Sequence, residues 1–444
     1  MSYLASNTIS SNLKSMLLKF SHGLILNIFL RIKGLVYFPL LIIFLAKEDI
    51  GLIAYVQSIC SLLAGFALLS IPDSSNRIIL DLDKNYTKDD LSNGINSITN
   101  LSFLLALGSC FILLFTTIYF QLLDSKLVFI VSILFFSKAL SKISQYIFQI
   151  YQKTKLLTIV TLVTEYSSLI IVICFLNFEL YDDILFLLYI YSFCVLSSSI
   201  FLFFKLYNTI KFKLVIDYNI IKKVIPLSIY LLPASFSMLI IQSSDFILIE
   251  KYLGLDSLGE YSFAYAIGSV VTGLSMAITF FWYSTIVYTD DKMVSPLLAK
   301  VFKYIPLLFI VIVIGYHFLT QPLINLVTSN DYSQVFRIVQ FLVIGFFLQA
   351  ITQIFQGIMY ARKKERVILF DSMLVAILNL LLNLFFMEKY GLIFAAYSTF
   401  GSYLLLYLLR LIYIIRLNYS SKSFIISNMF LILIIILNLT LLWI

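Results

Sequence analysis

Thirteen apolar runs of nineteen to twenty-nine residues fill most of this chain. They lie at about 20–45, 51–71, 96–120, 127–150, 156–177, 184–204, 224–250, 259–287, 301–326, 334–360, 367–387, 391–409 and 424–443. About 20 apolar residues are what an α-helix needs to cross the hydrocarbon core of a bilayer. Lipid offers backbone groups no partners, so each run must satisfy its own hydrogen bonds as a helix. The pattern dictates an all-α, polytopic membrane protein. Composition agrees, with 61% hydrophobic and 12% charged residues, where a soluble domain has about half and a quarter. Residues 1–19 are polar, and the first run is long enough to be a retained span rather than a cleaved leader.

Several function classes drop out. Cys60, Cys110, Cys174 and Cys194 sit inside apolar runs without CxxC spacing, as small core residues do. With thiols so scattered, His22 and His317 cannot complete a zinc site, and no metal or cofactor is expected. No GxxxxGK[ST], GxSxG or HExxH pattern occurs, which argues against an ATPase, a hydrolase or a metalloprotease. The net charge of +8 points to cytoplasmic loops rather than nucleic acid.

The basic residues also orient the chain. With the N-terminus inside, 22 of the 31 Lys and Arg fall on inner segments, 5 on outer ones and 4 within spans. A bias above four to one predicts a cytoplasmic N-terminus.

A weak repeat recurs at an offset of about 208. Leu45, Gly51, Ile59, Ser61 and Gly65 match Leu253, Gly259, Ile267, Ser269 and Gly273, and Tyr151-Gln-Lys153-Thr-Lys155 matches Tyr360-Ala-Arg362-Lys-Lys364. Six helices per half, both entering from the cytoplasm, give parallel repeats about an axis along the membrane normal. The expected organisation is a cytoplasmic segment at 1–19, an N-lobe at 20–206, a basic inter-lobe loop at 207–223 and a C-lobe at 224–416. A thirteenth hydrophobic segment, at 417–444, falls outside the repeat as an add-on.

Charges inside spans carry the most information, since each costs about 2.5–3.5 kcal/mol at mid-bilayer. Arg31 and Lys33 lie near the middle of the first span, and Lys138 and Lys142 near the middle of the fourth. Such cations must face partners or a water-filled cavity. Lys138, Ser141, Lys142, Gln145 and Gln149 fall at i, i+3, i+4, i+7 and i+11, one polar stripe on an apolar helix. Gln349, Thr352, Gln353 and Gln356 make a second stripe, and Asn379 and Asn383 a third. Amides and hydroxyls so spaced either hydrogen-bond sugar hydroxyls or bind helix to helix. Cations can hold phosphate. Arg31 and Lys33 point about 200° apart, and Arg31 is the better bidentate phosphate binder.

Three acids are embedded. Glu165, mid-span beside Thr161, Thr164 and Ser168, either pairs with a lysine or binds a coupling ion. Asp245 and Asp371 lie nearer span ends, where interfacial or capping carboxylates are ordinary; Asp245 joins Glu165 as a candidate for ion coupling. Pro39, Pro226 and Pro233 interrupt the first and seventh spans, where kinks free backbone carbonyls.

Three stretches carry a family resemblance: Leu45-Ala-Lys-Glu-Asp-Ile-Gly51, Ile225-Pro-Leu-Ser-Ile-Tyr-Leu-Leu-Pro233 and Tyr252-Leu-Gly-Leu-Asp-Ser-Leu-Gly-Glu-Tyr261. Over about 20–416 the chain resembles the Wzx-type polysaccharide-unit flippases of the multidrug/oligosaccharidyl-lipid/polysaccharide (MOP) exporter superfamily. The resemblance implies twelve core helices in two six-helix lobes forming a V around a cavity with alternating access. It implies an undecaprenyl-pyrophosphate-linked oligosaccharide as cargo, moved across a bacterial inner membrane for O-antigen, lipopolysaccharide or other surface polysaccharide. It also implies H+ or Na+ as coupling ion and polysaccharide polymerase machinery as a partner. Arg31, Lys33, Lys138 and Lys142 would then line the cavity, with Gln145, Gln149, Gln349, Gln353, Gln356 and Asn379 toward the sugars.

Two other functions fit the sequence less well. An ion-coupled multidrug exporter of the same superfamily would need an acidic cavity for organic cations, and this one reads as basic. A membrane polymerase or ligase would need a sizeable outer loop for catalytic groups, and the outer connections here are about ten residues or fewer.

Overall fold

The structure is a computed structural model. It describes residues 37–71, 88–119, 125–150, 170–175, 184–210, 213–287, 289–327 and 334–443, with positions 34, 74, 79, 159, 162–163, 166–167 and 332 between them. Among these residues the regular structure is helical: α1 (Lys47–Ala67), α2 (Lys88–Tyr119), α3 (Ser125–Ile150), α4 (Ile184–Ile210), α5 (Tyr218–Gly268), a 3₁₀ turn (Ser269–Val271), α6 (Thr272–Val287), α7 (Asp291–Phe302), α8 (Ile305–Val327), α9 (Val335–Ala361), α10 (Glu365–Tyr390), α11 (Leu392–Arg416) and α12 (Lys422–Trp443). Ten helical stretches among the described residues are long and apolar enough to cross a membrane. Phe111, Phe193, Phe318 and Phe385 are each 67–72% exposed, a surface that only lipid covers without cost. The chain is a multi-pass membrane protein.

Three local features differ from the sequence reading. The chain stays helical through Pro226 and Pro233, and the break in α5 falls instead at Gly254, whose φ of 84° is in the left-handed region that a residue without Cβ enters freely. The expected outer connection between the seventh and eighth spans is thus a one-residue hinge between helical limbs. The inner connection after the eighth span contains a helix of its own, α7. Its Val294, Leu298 and Phe302 are buried while Lys292, Met293 and Lys300 are exposed, the two-faced pattern of a helix lying in the membrane interface. Finally, α12 is no loose add-on. Phe424 is fully buried with its ring centroid 4.7 Å from that of Phe302, and Asn428 accepts a hydrogen bond from Tyr407 Oη at 2.5 Å.

The chain divides into two compact units, residues 1–26 with 53–243 and residues 27–52 with 244–444. These boundaries differ from the repeat-based lobes, since 27–52 falls in the second unit and 224–243 in the first. The first unit is built around Ala64, Phe135, Ala139, Ile143, Leu202 and Val224. In the second, α9 is the central element, with 94% of its apolar window buried.

The second unit also contains the repeat's own contact. A Cβ on Gly51 would stand 2.1 Å from the carbonyl oxygen of Leu255, and one on Gly259 would stand 2.2 Å from that of Lys47. At the offset of 208, Gly51 corresponds to Gly259 and Lys47 to Leu255. The two copies of the segment therefore meet reciprocally, each glycine receiving the other copy's backbone.

Candidate functional site

The first unit presents the cationic stripe of α3. Ala139, Leu140 and Ile143 are buried, whereas Lys138, Ser141, Lys142 and Gln145 are half-buried along the opposite side. Lys138 Nζ donates to the Gln57 carbonyl at 2.7 Å and to Ser61 Oγ at 2.5 Å, two groups one helical turn apart on α1. Ser141 Oγ lies 2.8 Å from Ser199 Oγ of α4. These two oxygens of α1 orient the ammonium. The stripe is the kind of surface that can hold a phosphate oxygen without burying an uncompensated cation. Arg31, Lys33, Glu165 and the Gln149 side chain lie outside the described residues.

The second unit holds the amide stripes, most of them already occupied. Gln349 is buried and accepts from Ser275 Oγ at 2.6 Å. Gln356 accepts from Arg410 Nη1 at 2.7 Å. Asn379 is fully buried and accepts from Ser244 Oγ at 3.3 Å. These three hold helices together, the second of the two roles that such spacing allows. Gln353 remains half-buried.

Asp245 is a buried acid rather than an interfacial one. The α5 hinge folds Tyr261 back so that its Oη donates to Asp245 Oδ2 at 2.8 Å. Asn383 Nδ2 from α10 donates to Oδ1 at 2.6 Å. Thr399 from α11 donates to Oδ2, and Ser398 donates to Asn383 Oδ1. Every group bonded to this carboxylate among the described residues is neutral. Asn379 Nδ2 nearby is buried with no hydrogen-bond partner there. Two hydroxyls and one amide N–H thus hold a carboxylate whose charge none of them neutralises, a group that a proton or a small hard cation suits.

Sequence reading missed a fully buried charge. Arg410, counted there among cytoplasmic loop cations, is fully buried within α11. Its Nε donates to Asp371 Oδ2 at 2.9 Å, Nη2 to Ser372 Oγ at 3.1 Å and to Asp371 Oδ1 at 3.4 Å, and Nη1 to Gln356 and the Thr352 carbonyl. Asp371, read as an interfacial carboxylate, is its counter-ion. The apolar run continues past Arg410 to Ile415, and that continuation was the signal that the arginine lies inside the helix bundle.

Comparison with solved structures identifies the fold. The fold matches "Lipid II flippase MurJ, inward closed conformation" with a TM-score of 0.64, at 18% identity over 96% of this chain and 98% of that one. It matches an outward-facing multidrug resistance MATE family transporter of the MOP superfamily with a TM-score of 0.58, at 15% identity over 90% and 97%. A MATE in the bent conformation matches with 0.59, at 12% over 91% and 96%. The protein shares the fold of these proteins. No curated protein sequence matches it. Residues 19–286, more than half of the chain, match the family described as polysaccharide biosynthesis protein, and the chain belongs to that family.

Proposed function

We propose that this protein is a flippase that carries an undecaprenyl-pyrophosphate-linked oligosaccharide outward across a bacterial inner membrane, by alternating access, for O-antigen or another surface polysaccharide. The observation that carries the reading is the half-buried stripe of Lys138, Lys142 and Gln145 in a chain of the polysaccharide biosynthesis family. In this mechanism the two lysines, with Arg31 and Lys33, hold the pyrophosphate. Gln145, Gln149 and Gln353 hydrogen-bond the sugars while the polyprenyl tail stays in lipid. The N-terminus is cytoplasmic, which the basic-residue bias supports at 21 to 5 once Arg410 is taken out of the loops.

Asp245 couples transport to an ion. A buried, uncompensated carboxylate costs several kcal/mol. Three neutral donors offset part of that, and a proton or Na+ offsets the rest. Ion binding and release there would bias the packing of α5, α10 and α11.

The test is complementation. In a deletion strain, lipid-linked units should accumulate on the cytoplasmic face of the inner membrane. Wild type should restore their export, and a Lys138→Ala/Lys142→Ala variant should not. The fold likeness to MATE transporters supports a second reading, an ion-coupled multidrug exporter. Under that reading the deletion strain gains drug sensitivity while its lipid-linked units are distributed normally.

A further inference from the structure

The segment at 213–217 between α4 and α5 is held in place, and what holds it leaves Leu214 and Ile216 outside. Three buried side chains of α2 grip the backbone of 213–217. Asn100 Nδ2 donates to the carbonyls of Lys213 and Val215, both at 3.0 Å. The Lys213 N–H donates to Asn96 Oδ1 at 3.2 Å, and the Asp217 N–H to Ser97 Oγ at 2.9 Å. Asp217 Oδ1 then accepts the Asn219 N–H at 2.9 Å and caps α5. The Val215 N–H turns back onto the Lys213 carbonyl at 2.8 Å, a tight turn centred on Leu214.

Because polar groups of α2 bind the backbone, no apolar side chain of the strap is needed to dock it. Leu214 is 89% exposed, Ile216 55% and Tyr218 73%. Holding such residues in water forgoes the favourable transfer of their apolar surface out of it. The adjoining spans end near residue 204 and begin near 224, so the nearest apolar medium is the headgroup–acyl boundary of the bilayer. Lys213, Lys222 and Lys223 are exposed around these residues. Asp217 is the one acid between 206 and 244, and its carboxylate is engaged in the cap. An apolar wedge ringed by lysines is complementary to an anionic lipid surface.

We propose that the strap at 213–218 is a contact site for anionic phospholipid. Leu214, Ile216 and Tyr218 enter the headgroup–acyl boundary, and Lys213, Lys222 and Lys223 engage lipid phosphates. The site anchors the joint between α4 and α5 to the membrane surface, independently of the cargo the protein carries.

The full chain carrying Ile216→Trp, with Leu214→Trp as a second reporter, is reconstituted in nanodiscs of phosphatidylcholine and phosphatidylglycerol. The emission of the unsubstituted chain, which contains Trp282 and Trp443, is subtracted. Lipid brominated high on the acyl chain should quench the added emission, and aqueous iodide should leave it nearly unchanged. Emission quenched by iodide and not by bromolipid would place the strap in water and overturn the proposal. Bromine carried only by phosphatidylglycerol should quench at least about twofold more than bromine carried only by phosphatidylcholine at equal mole fraction. Lys213→Gln/Lys222→Gln/Lys223→Gln should abolish that preference. Equal quenching by the two lipids with the lysines in place would refute the anionic specificity.

Discussion

Removing one partner of the Arg410–Asp371 pair should cost the second unit far more than removing both. The guanidinium is fully buried, the Asp371 side chain is 6% exposed, and Nε and Oδ2 are 2.9 Å apart. Neither charge reaches water, so Arg410→Met leaves a carboxylate with Ser372 as its remaining partner among these groups. Breaking such a pair costs about 3–5 kcal/mol, whereas replacing both members by apolar residues of similar volume is often neutral or stabilising. Asp371→Asn strands the guanidinium on Gln356, Ser372 and a carbonyl, with a cost in the same range. Asp371→Leu/Arg410→Met should recover most of either loss. The second unit has roughly 230 residues, so each single change should lower the melting temperature by about 6–20 °C, at 2–4 °C per kcal/mol. Detergent-purified protein, heated and followed by size-exclusion fluorescence, reads this directly. Single variants within about 1 kcal/mol of wild type would mean that the pair is solvated as a surface bridge is. A double variant worse than both singles would mean that the cluster is more than a counter-ion pair, and either result refutes the reasoning.

Asp245→Asn keeps the size and the acceptor oxygen of the carboxylate but removes its charge. Stability should fall by about 1–3 kcal/mol, because the new amide nitrogen faces buried donors that lose their acceptor, while dependence of transport on a Na+ or pH gradient should disappear, as measured in proteoliposomes. Gly51→Ala and Gly259→Ala should each cost about 1–3 kcal/mol, because the new Cβ meets backbone oxygen at close to 2 Å. Gly108→Ala, where nothing lies within 4 Å, should gain about 0.5–1 kcal/mol in the same melting assay. Phe424→Ala should cost about 3–5 kcal/mol, because its ring fills a buried cluster with Phe302 and Phe355; a loss under 1 kcal/mol would return α12 to the status of an add-on.

The helices themselves were legible without coordinates. Whether a segment crosses a bilayer depends on its own length and apolarity, because lipid supplies no partners, and α1 to α6 and α8 to α12 follow from that rule. The stripe of Lys138, Ser141, Lys142 and Gln145 was legible for the same reason, since helical periodicity puts i, i+3, i+4 and i+7 on one face wherever the helix lies. The match of Gly51 with Gly259 could likewise be read along the chain.

Partners could not be read, because they depend on which faces meet. Periodicity placed Gln349, Gln356 and Asn379 on stripes without saying whether a sugar or another helix occupies the other side. In the folded chain Ser275, Arg410 and Ser244 do. Arg410 looked like a loop cation until α10 brought Asp371 beside it. Asp245 looked like an interfacial acid until the turn at Gly254 returned Tyr261 to it and α10 and α11 supplied Asn383 and Thr399. The chain's own chemistry determined that these segments are membrane helices and which residues are costly there. Tertiary structure alone decided how that cost is met, since hydrogen bonds and ion pairs between helices join residues 15 to 154 positions apart, a distance over which no local pattern carries information.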